Sequence, residues 1–105
     1  MEKKSRIYVA GHLGLAGSAI YRALKKAGYQ NIITRSHSEL ELLESIEVSN
    51  FFSETKPEFV FLAAAKVGGI HANSSYPADF IRENIIVQTN VIHKAWKHDV
   101  TKLVF

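Results

Sequence analysis

The feature that most constrains this chain is a set of glycines at three-residue spacing, Gly11-His12-Leu13-Gly14-Leu15-Ala16-Gly17, placed between two segments of different periodicity. Before it, Arg6–Ala10 is a short apolar run, read as a buried strand. After it, Gly17–Ala27 has helical periodicity, with Ala19, Ile20, Ala23, Leu24 and Ala27 expected on one stripe and Gly28 expected to close the helix. Strand, tight turn and helix in this order open a βαβ unit.

The remaining chain keeps the alternation. Asn31–Thr34 reads as a second short strand. Ser45–Thr55 reads as a helix with Ile46, Phe51 and Phe52 inward, and Pro57 marks its far side. Phe59–Ala64 is apolar throughout, as a parallel strand buried on both faces should be. Pro77 opens a long helix where its missing N–H costs nothing, Asp79 follows in the first turn, and the helix is expected to run to about His98. Lys102–Phe105 begins a fourth strand. With right-handed crossovers the fold class is α/β, the N-terminal part of a Rossmann-type doubly wound parallel sheet of about four strands with helices on both faces. A fourth strand this short and apolar would leave an aggregation-prone edge. Further strands are therefore expected beyond Phe105, with residues 1–105 forming one truncated domain.

Composition narrows the function. The chain has 105 residues, 47% of them hydrophobic and 22% charged, which suits an ordinary globular domain. The net charge of +3 is mild and spread along the chain. Nucleic-acid proteins concentrate charge in a stripe, so no nucleic-acid partner is expected; a slightly basic surface suits small anionic ligands. There is no cysteine, which excludes disulfides and thiolate metal sites. Of the histidines, His93 and His98 are five apart on a helix and His12, His37 and His71 fall in separate loops, so none has the spacing of a zinc helix site and no metal is expected. No segment approaches the roughly 20 apolar residues of a membrane helix. The apolar run at the N-terminus is cut short by glycine, unlike a signal peptide, and the expected compartment is the cytoplasm.

The glycine loop carries the chemistry. A pyrophosphate at a helix N-terminus gains from unpaired backbone amides and from the helix dipole. Reaching those amides needs a turn without obstructing side chains, hence Gly11 and Gly14, while Gly17 would let the helix pack closely on the strand. His12, Leu13, Leu15 and Ala16 complete the loop. A tight turn with no ligand is the alternative. At the end of the second strand, an acidic residue suits a ribose 2′-hydroxyl and a basic one a 2′-phosphate. Here Arg35 and His37 can donate to a phosphate, which leans towards NADP; the alternative is that both point into water, and Glu39 is the residue that could reverse the preference. The third strand runs into Leu62-Ala63-Ala64-Ala65. Its alanines either admit a flat adenine or ribose or let a helix pack closely, and Gly68–Gly69 follow.

The combination of VAGHLGLAGSAI, SELELLE, FLAAAKVGGIHAN and YPADFIRENIIVQTNVIHKAW resembles the GDP-L-fucose synthases of the extended short-chain dehydrogenase/reductase superfamily, over Arg6 to Phe105. The resemblance implies an NADPH-dependent enzyme that epimerises GDP-4-keto-6-deoxy-D-mannose and reduces it to GDP-L-fucose. It implies that Gly11 to Gly17 hold the pyrophosphate, that His37 to Leu42, including Glu41, pass the adenosine end, and that Leu62, Ala63, Ala64 and Ala65 line the far wall. Members of that family carry an Arg where this chain has Leu13 and often another where it has His37, so phosphate recognition here falls more heavily on Arg35. The superfamily's catalytic Ser and Tyr-x-x-x-Lys belong beyond Phe105, and no catalytic residue is assigned. Tyr21-Arg-Ala-Leu-Lys25 matches the spacing but reads as a solvated coincidence on the first helix.

The long helix has more apolar surface than one sheet can cover. Ile81, Ile85, Ile92 and Trp96 form one stripe, and Phe80, Val87 and Val91 form another. A homodimer through the helix at 77–98 is expected, in agreement with the resemblance; cover from the absent part of the chain is the alternative. Asn84, near the helix start, reads either as facing the cofactor crevice or as a satisfied buried amide. Other nucleotide-sugar epimerases or dehydratases, and a non-catalytic nucleotide-binding module, are the competing functional readings.

Overall fold

The computed structural model describes residues 1–63 and 77–104, with only the backbone of 77–80. Its elements are β1 (Arg6–Ala10), α1 (Leu15–Lys26), β2 (Asn31–Ile33), α2 (Ser45–Thr55), β3 (Phe59–Leu62), α3 (Pro77–Lys97) and β4 (Lys102–Val104). The strands form one sheet in the order β2-β1-β3-β4. All pairs are parallel, with Tyr8 opposite both Ile33 and Val60, Ala10 opposite Leu62, and Val60 opposite Leu103. This is the expected α/β architecture, and the strand order reverses direction between β1 and β3.

Alternation along β1 divides the core into two layers. Ile7 and Val9 face α1, where they meet Leu24, Ile20 and Tyr29. Tyr8 and Ala10 face α2 and α3, where they join Val48, Phe51, Phe52, Val60, Val87, Val91 and Ala95. Ile7, Val9, Val48, Phe52, Val60 and Val91 are fully shielded from water, each such burial contributing about 1.5–3 kcal/mol. Two aromatic contacts set the second layer: the Tyr8 and Phe51 rings lie 4.5 Å apart, and Phe52 stands edge-on to Tyr8 at 6.1 Å.

Helix ends follow local chemistry. At the end of α1, Gly28 adopts φ +90, and the Gly28 and Tyr29 amides donate to the Lys25 and Leu24 carbonyls, both at 3.1 Å. This double closure needs a left-handed residue, which glycine supplies without steric cost. Asp99 does the same after α3 with φ 59, and Lys56 caps α2 with φ 48 before Pro57. Arg6 reinforces the second of these by donating from Nε to the Lys56 carbonyl at 2.7 Å.

Three expectations are corrected. On α1 the inward residues are Gly17, Ile20 and Leu24, whereas Ala19, Ala23 and Ala27 are exposed. Ile46 is 77% exposed, because α2 turns Val48, Phe51 and Phe52 inward and Ile46 lies about 200° round from Val48 at 100° per residue. Strand β2 ends a residue earlier than read, at Ile33, and β3 ends at Leu62; residues 64–76, and Phe105 at the expected end of β4, lie outside the described ones. On α3, Val87 and Val91 face the core, Ile92 is partly covered, and Ile81, Ile85 and Trp96 are exposed. Phe80 lies outside the described side chains. The α1 side of β3 and β4 is also open in part, with Phe59 and Phe61 half-buried and Val104 40% exposed.

Candidate nucleotide site

The sheet places the glycine loop at its topological switch point, the position where open α/β sheets bind ligands beyond the carboxyl ends of their strands. Ala10 and Leu62 end adjacent strands in register, and the Ala63 amide donates to the Ala10 carbonyl at 3.0 Å. Gly11 turns the chain there with φ 84, a left-handed conformation. The Gly14 amide closes the turn on the Gly11 carbonyl at 3.1 Å, and Gly14 then accepts the Ser18 amide at 2.8 Å.

The N-terminus of α1 lacks the usual means of satisfying a helix start. Gly14 is its N-cap and offers no side chain, and no acidic residue stands in its first turn. The amides of Leu15, Ala16 and Gly17 have no acceptor among the described residues. The positive end of the dipole is thus left for an anion.

The three glycines stand under different constraints. Gly11 is fixed by its positive φ. Gly17 is fixed by contact, but with the loop and not with the strand as the sequence suggests: a Cβ there would overlap the Gly11 carbonyl and come 3.1 Å from the His12 Cα. Gly14 has ordinary φ −78 and ψ 172, and among the described residues a Cβ there would meet only the Gly11 oxygen at 3.5 Å. The described residues therefore leave room for a side chain at Gly14.

Around the loop, Leu13, Leu15 and Ala16 are exposed. His12 is half-buried, its ring 6.5 Å from Tyr21 and tilted edge-on. Tyr21 also lies beneath Lys25, whose Nζ is 5.8 Å from the ring centre. Tyr21 and Lys25 thus meet through the ring face.

At the end of β2, Arg35 is half-buried, donates to the Thr34 carbonyl at 2.7 Å, and lies 5.3 Å from the Phe51 ring centre. His37 is exposed. Glu39 accepts the Ser36 amide at 2.8 Å, closing the 36–40 turn together with the Leu40 amide on the Ser36 carbonyl. Its carboxyl is held below the usual range by Ser36 first, then by the nearby charges of Arg35 and His12. The Glu41 carboxylate accepts the Leu43 amide at 3.1 Å. Leu42 points into the core, and its carbonyl accepts Asn90 Nδ2 at 2.8 Å. Leu62 is likewise a core side chain and Ala63 is half-buried; Ala64 and Ala65 lie outside the described residues. Sequence reading missed Phe51 and Tyr8 as neighbours of Arg35. Strand parity held the clue, since Ile33 and Arg35 alternate onto the face that carries Tyr8.

Two shallow surface hollows open at the opposite ends of the strands, one beside Lys4 and Asn31 and one beside Lys56 and His98, and neither includes the loop. Among the described residues no group of acidic, His or Cys side chains could hold a metal, and no helix is long and apolar enough to cross a membrane.

GDP-L-fucose synthase 1 of Arabidopsis thaliana is 56% identical over 99% of this chain, and GDP-L-fucose synthase of Escherichia coli strain K12 is 49% identical over 97%. The chain spans about a third of each, 32% of their lengths. The structure of a Campylobacter jejuni GDP-mannoheptose C4 reductase, with NADP bound, superimposes with a TM-score of 0.94 at 46% identity, over all of this chain and 33% of that one. Residues 7–105 match the profile of one family throughout: this chain belongs to the NAD dependent epimerase/dehydratase family.

Proposed function

We propose that these residues form the NADP(H)-binding domain of a GDP-L-fucose synthase, which converts GDP-4-keto-6-deoxy-D-mannose to GDP-L-fucose by epimerisation and NADPH-dependent reduction. The observation that carries the cofactor reading is Gly14: a helix start with no side-chain cap and, among the described residues, no acceptor for its first amides, at a glycine that the described residues leave room to replace. The names of the two synthases support the substrate class, and the NADP of the heptose reductase supports the cofactor.

In this reading the backbone of Gly11 to Gly17, with His12, Leu13, Leu15 and Ala16, holds the pyrophosphate. Arg35 takes the 2′-phosphate, with His37 beside it. Glu41 and Leu42 pass the adenosine end, Leu42 by its backbone because its side chain is in the core. Leu62, Ala63, Ala64 and Ala65 form the far wall. The cofactor supplies the hydride when bound; the chain's residues bind and orient it. A proton donor of the Tyr-x-x-x-Lys type is needed at the reacting oxygen, and Tyr21–Lys25 does not serve. The 105 residues alone therefore turn over no sugar nucleotide. The exposed Ile81, Ile85 and Trp96 of α3 pair with a second copy to form a homodimer, and the compartment is the cytoplasm.

Calorimetric titration of the folded chain with NADPH tests the binding step, and absence of binding overturns it. Joining these residues to the remaining two thirds of the Arabidopsis synthase tests competence. GDP-L-fucose formation is expected from the chimera and none from the chain alone. Sedimentation showing only monomer in the chimera would remove the dimer. A second reading, reduction of a GDP-heptose, is favoured by the identity to the C4 reductase; a full-length protein active only on the keto-heptose would select it.

A further inference from the structure

The end of β2 carries a device that deepens the NADP reading and rests on it. Arg35 is the only Arg or Lys between Lys26 and Lys56, and the glycine loop contains neither. The fixed positive charge that the chain between Lys26 and Lys56 presents is therefore that of one side chain, and depends on how it is held. Arg35 follows Ile33 by two residues, so it leaves the backbone on the sheet face that carries Tyr8 and Ala10. That face is covered by α2, and the Arg35 guanidinium carbon lies 5.3 Å from the centre of the Phe51 ring, within cation–π range. Phe51 is itself immobilised, buried and 4.5 Å from the Tyr8 ring. One guanidinium N–H donates to the Thr34 carbonyl at 2.7 Å, out of five such donors.

We propose that Phe51 is a positioning residue for cofactor selection: its ring holds the Arg35 guanidinium at the end of β2 and so sets how strongly a 2′-phosphate is favoured over a 2′-hydroxyl. An arginine free in water loses rotamer freedom when it grips an anion. One already seated on a ring loses less, and the difference appears as affinity for the phosphate alone. Glu39, which feels the Arg35 charge, accepts the Ser36 amide at 2.8 Å.

The test is dinucleotide binding by calorimetry to wild type, Phe51→Leu and Phe51→Tyr. Leucine keeps the site apolar and removes the π face; tyrosine keeps the ring. In Phe51→Leu, NADPH affinity is expected to fall about three- to fivefold, the size of a partly exposed cation–π contact, with NADH affinity unchanged; Phe51→Tyr should match wild type. Equal loss of both dinucleotides, or loss of neither, overturns the proposal and leaves Phe51 a core residue. Wild type that binds no dinucleotide refutes the NADP reading instead. Should Phe51→Leu not fold, the NMR signal of Arg35 Nε–Hε in the unmodified protein decides. A ring-shifted signal that moves with 2′,5′-ADP but not with 5′-ADP is expected; an unshifted one, or one moved equally by both, overturns the proposal.

Discussion

Alanine at position 17 adds one methyl group where the chain has no space for it. Its Cβ would overlap the Gly11 carbonyl, with the carbon 2.5 Å away, and would press on the His12 Cα at 3.1 Å. These are backbone atoms, so no side-chain rotation relieves the clash; either α1 tilts off the loop or the loop is displaced. Overpacking of this kind costs about 1–3 kcal/mol. In a domain of this size each kcal/mol lowers Tm by about 4–8 °C, so Gly17→Ala is expected to lose about 10 °C in scanning calorimetry. Gly14→Ala provides the contrast. Its φ and ψ suit any residue and its Cβ would make only an ordinary contact. The poorer N-cap and the stiffer unfolded chain offset each other, each by less than about 1 kcal/mol. Its Tm should therefore stay within about 3 °C of wild type, while the methyl beside the loop amides weakens NADPH binding at least about tenfold, near 1.4 kcal/mol. Refutation would be an unchanged Tm for Gly17→Ala, or a Gly14→Ala protein that binds NADPH normally.

Asn90→Ala removes the donor to the Leu42 carbonyl and should cost about 1–2 kcal/mol in urea denaturation; a smaller change would show that water replaces the amide. Gly28→Ala meets no atom within 4 Å but must adopt φ +90, so about 1 kcal/mol is lost to backbone strain alone, readable by the same method. Burial pushes the Tyr8 phenol well above its ordinary value of 10.0, and the Arg35 charge opposes this only in part. A raised folded-state value means that this contribution to stability is complete below pH 10 and declines as pH rises further. Tyr8→Phe should flatten the alkaline limb of a stability-against-pH curve, and an unaltered limb would contradict the burial argument.

Periodicity made the elements legible and left their orientation less so. The far end of α2 is read from Pro57, because breaker chemistry is local. Which face of a helix turns inward depends on partners elsewhere in the chain. Ile46 looks like core by type, yet Val48, Phe51 and Phe52 occupy the spacing that meets the sheet. On α1 the alanines suggest a stripe, but the buried line runs through Gly17 and Leu24, since Gly17 lies against the loop. At the site, the glycine turn is legible because its demands are confined to seven residues. Leu42 was not, for its alternation with Leu40 is a packing signal that looks the same whether the neighbour is a ligand or a helix. Arg35 shows the limit most plainly: its charge is visible in sequence, its seat on Phe51 is not.

The parallel register of β1 with β3 also governs the order in which the molecule can be assembled. Arg6 meets Asn31 across β1 and β2, 25 positions away, but Tyr8 meets Val60 at 52 positions. Closing the longer span costs only about 0.6 kcal/mol more chain entropy per doubling of length, but non-local pairing of this kind slows folding. The β1-α1-β2 hairpin-like unit can therefore organise early with its glycine turn already shaped. The facing strand end at Leu62 and Ala63 instead depends on the longer-range closure of β1 on β3.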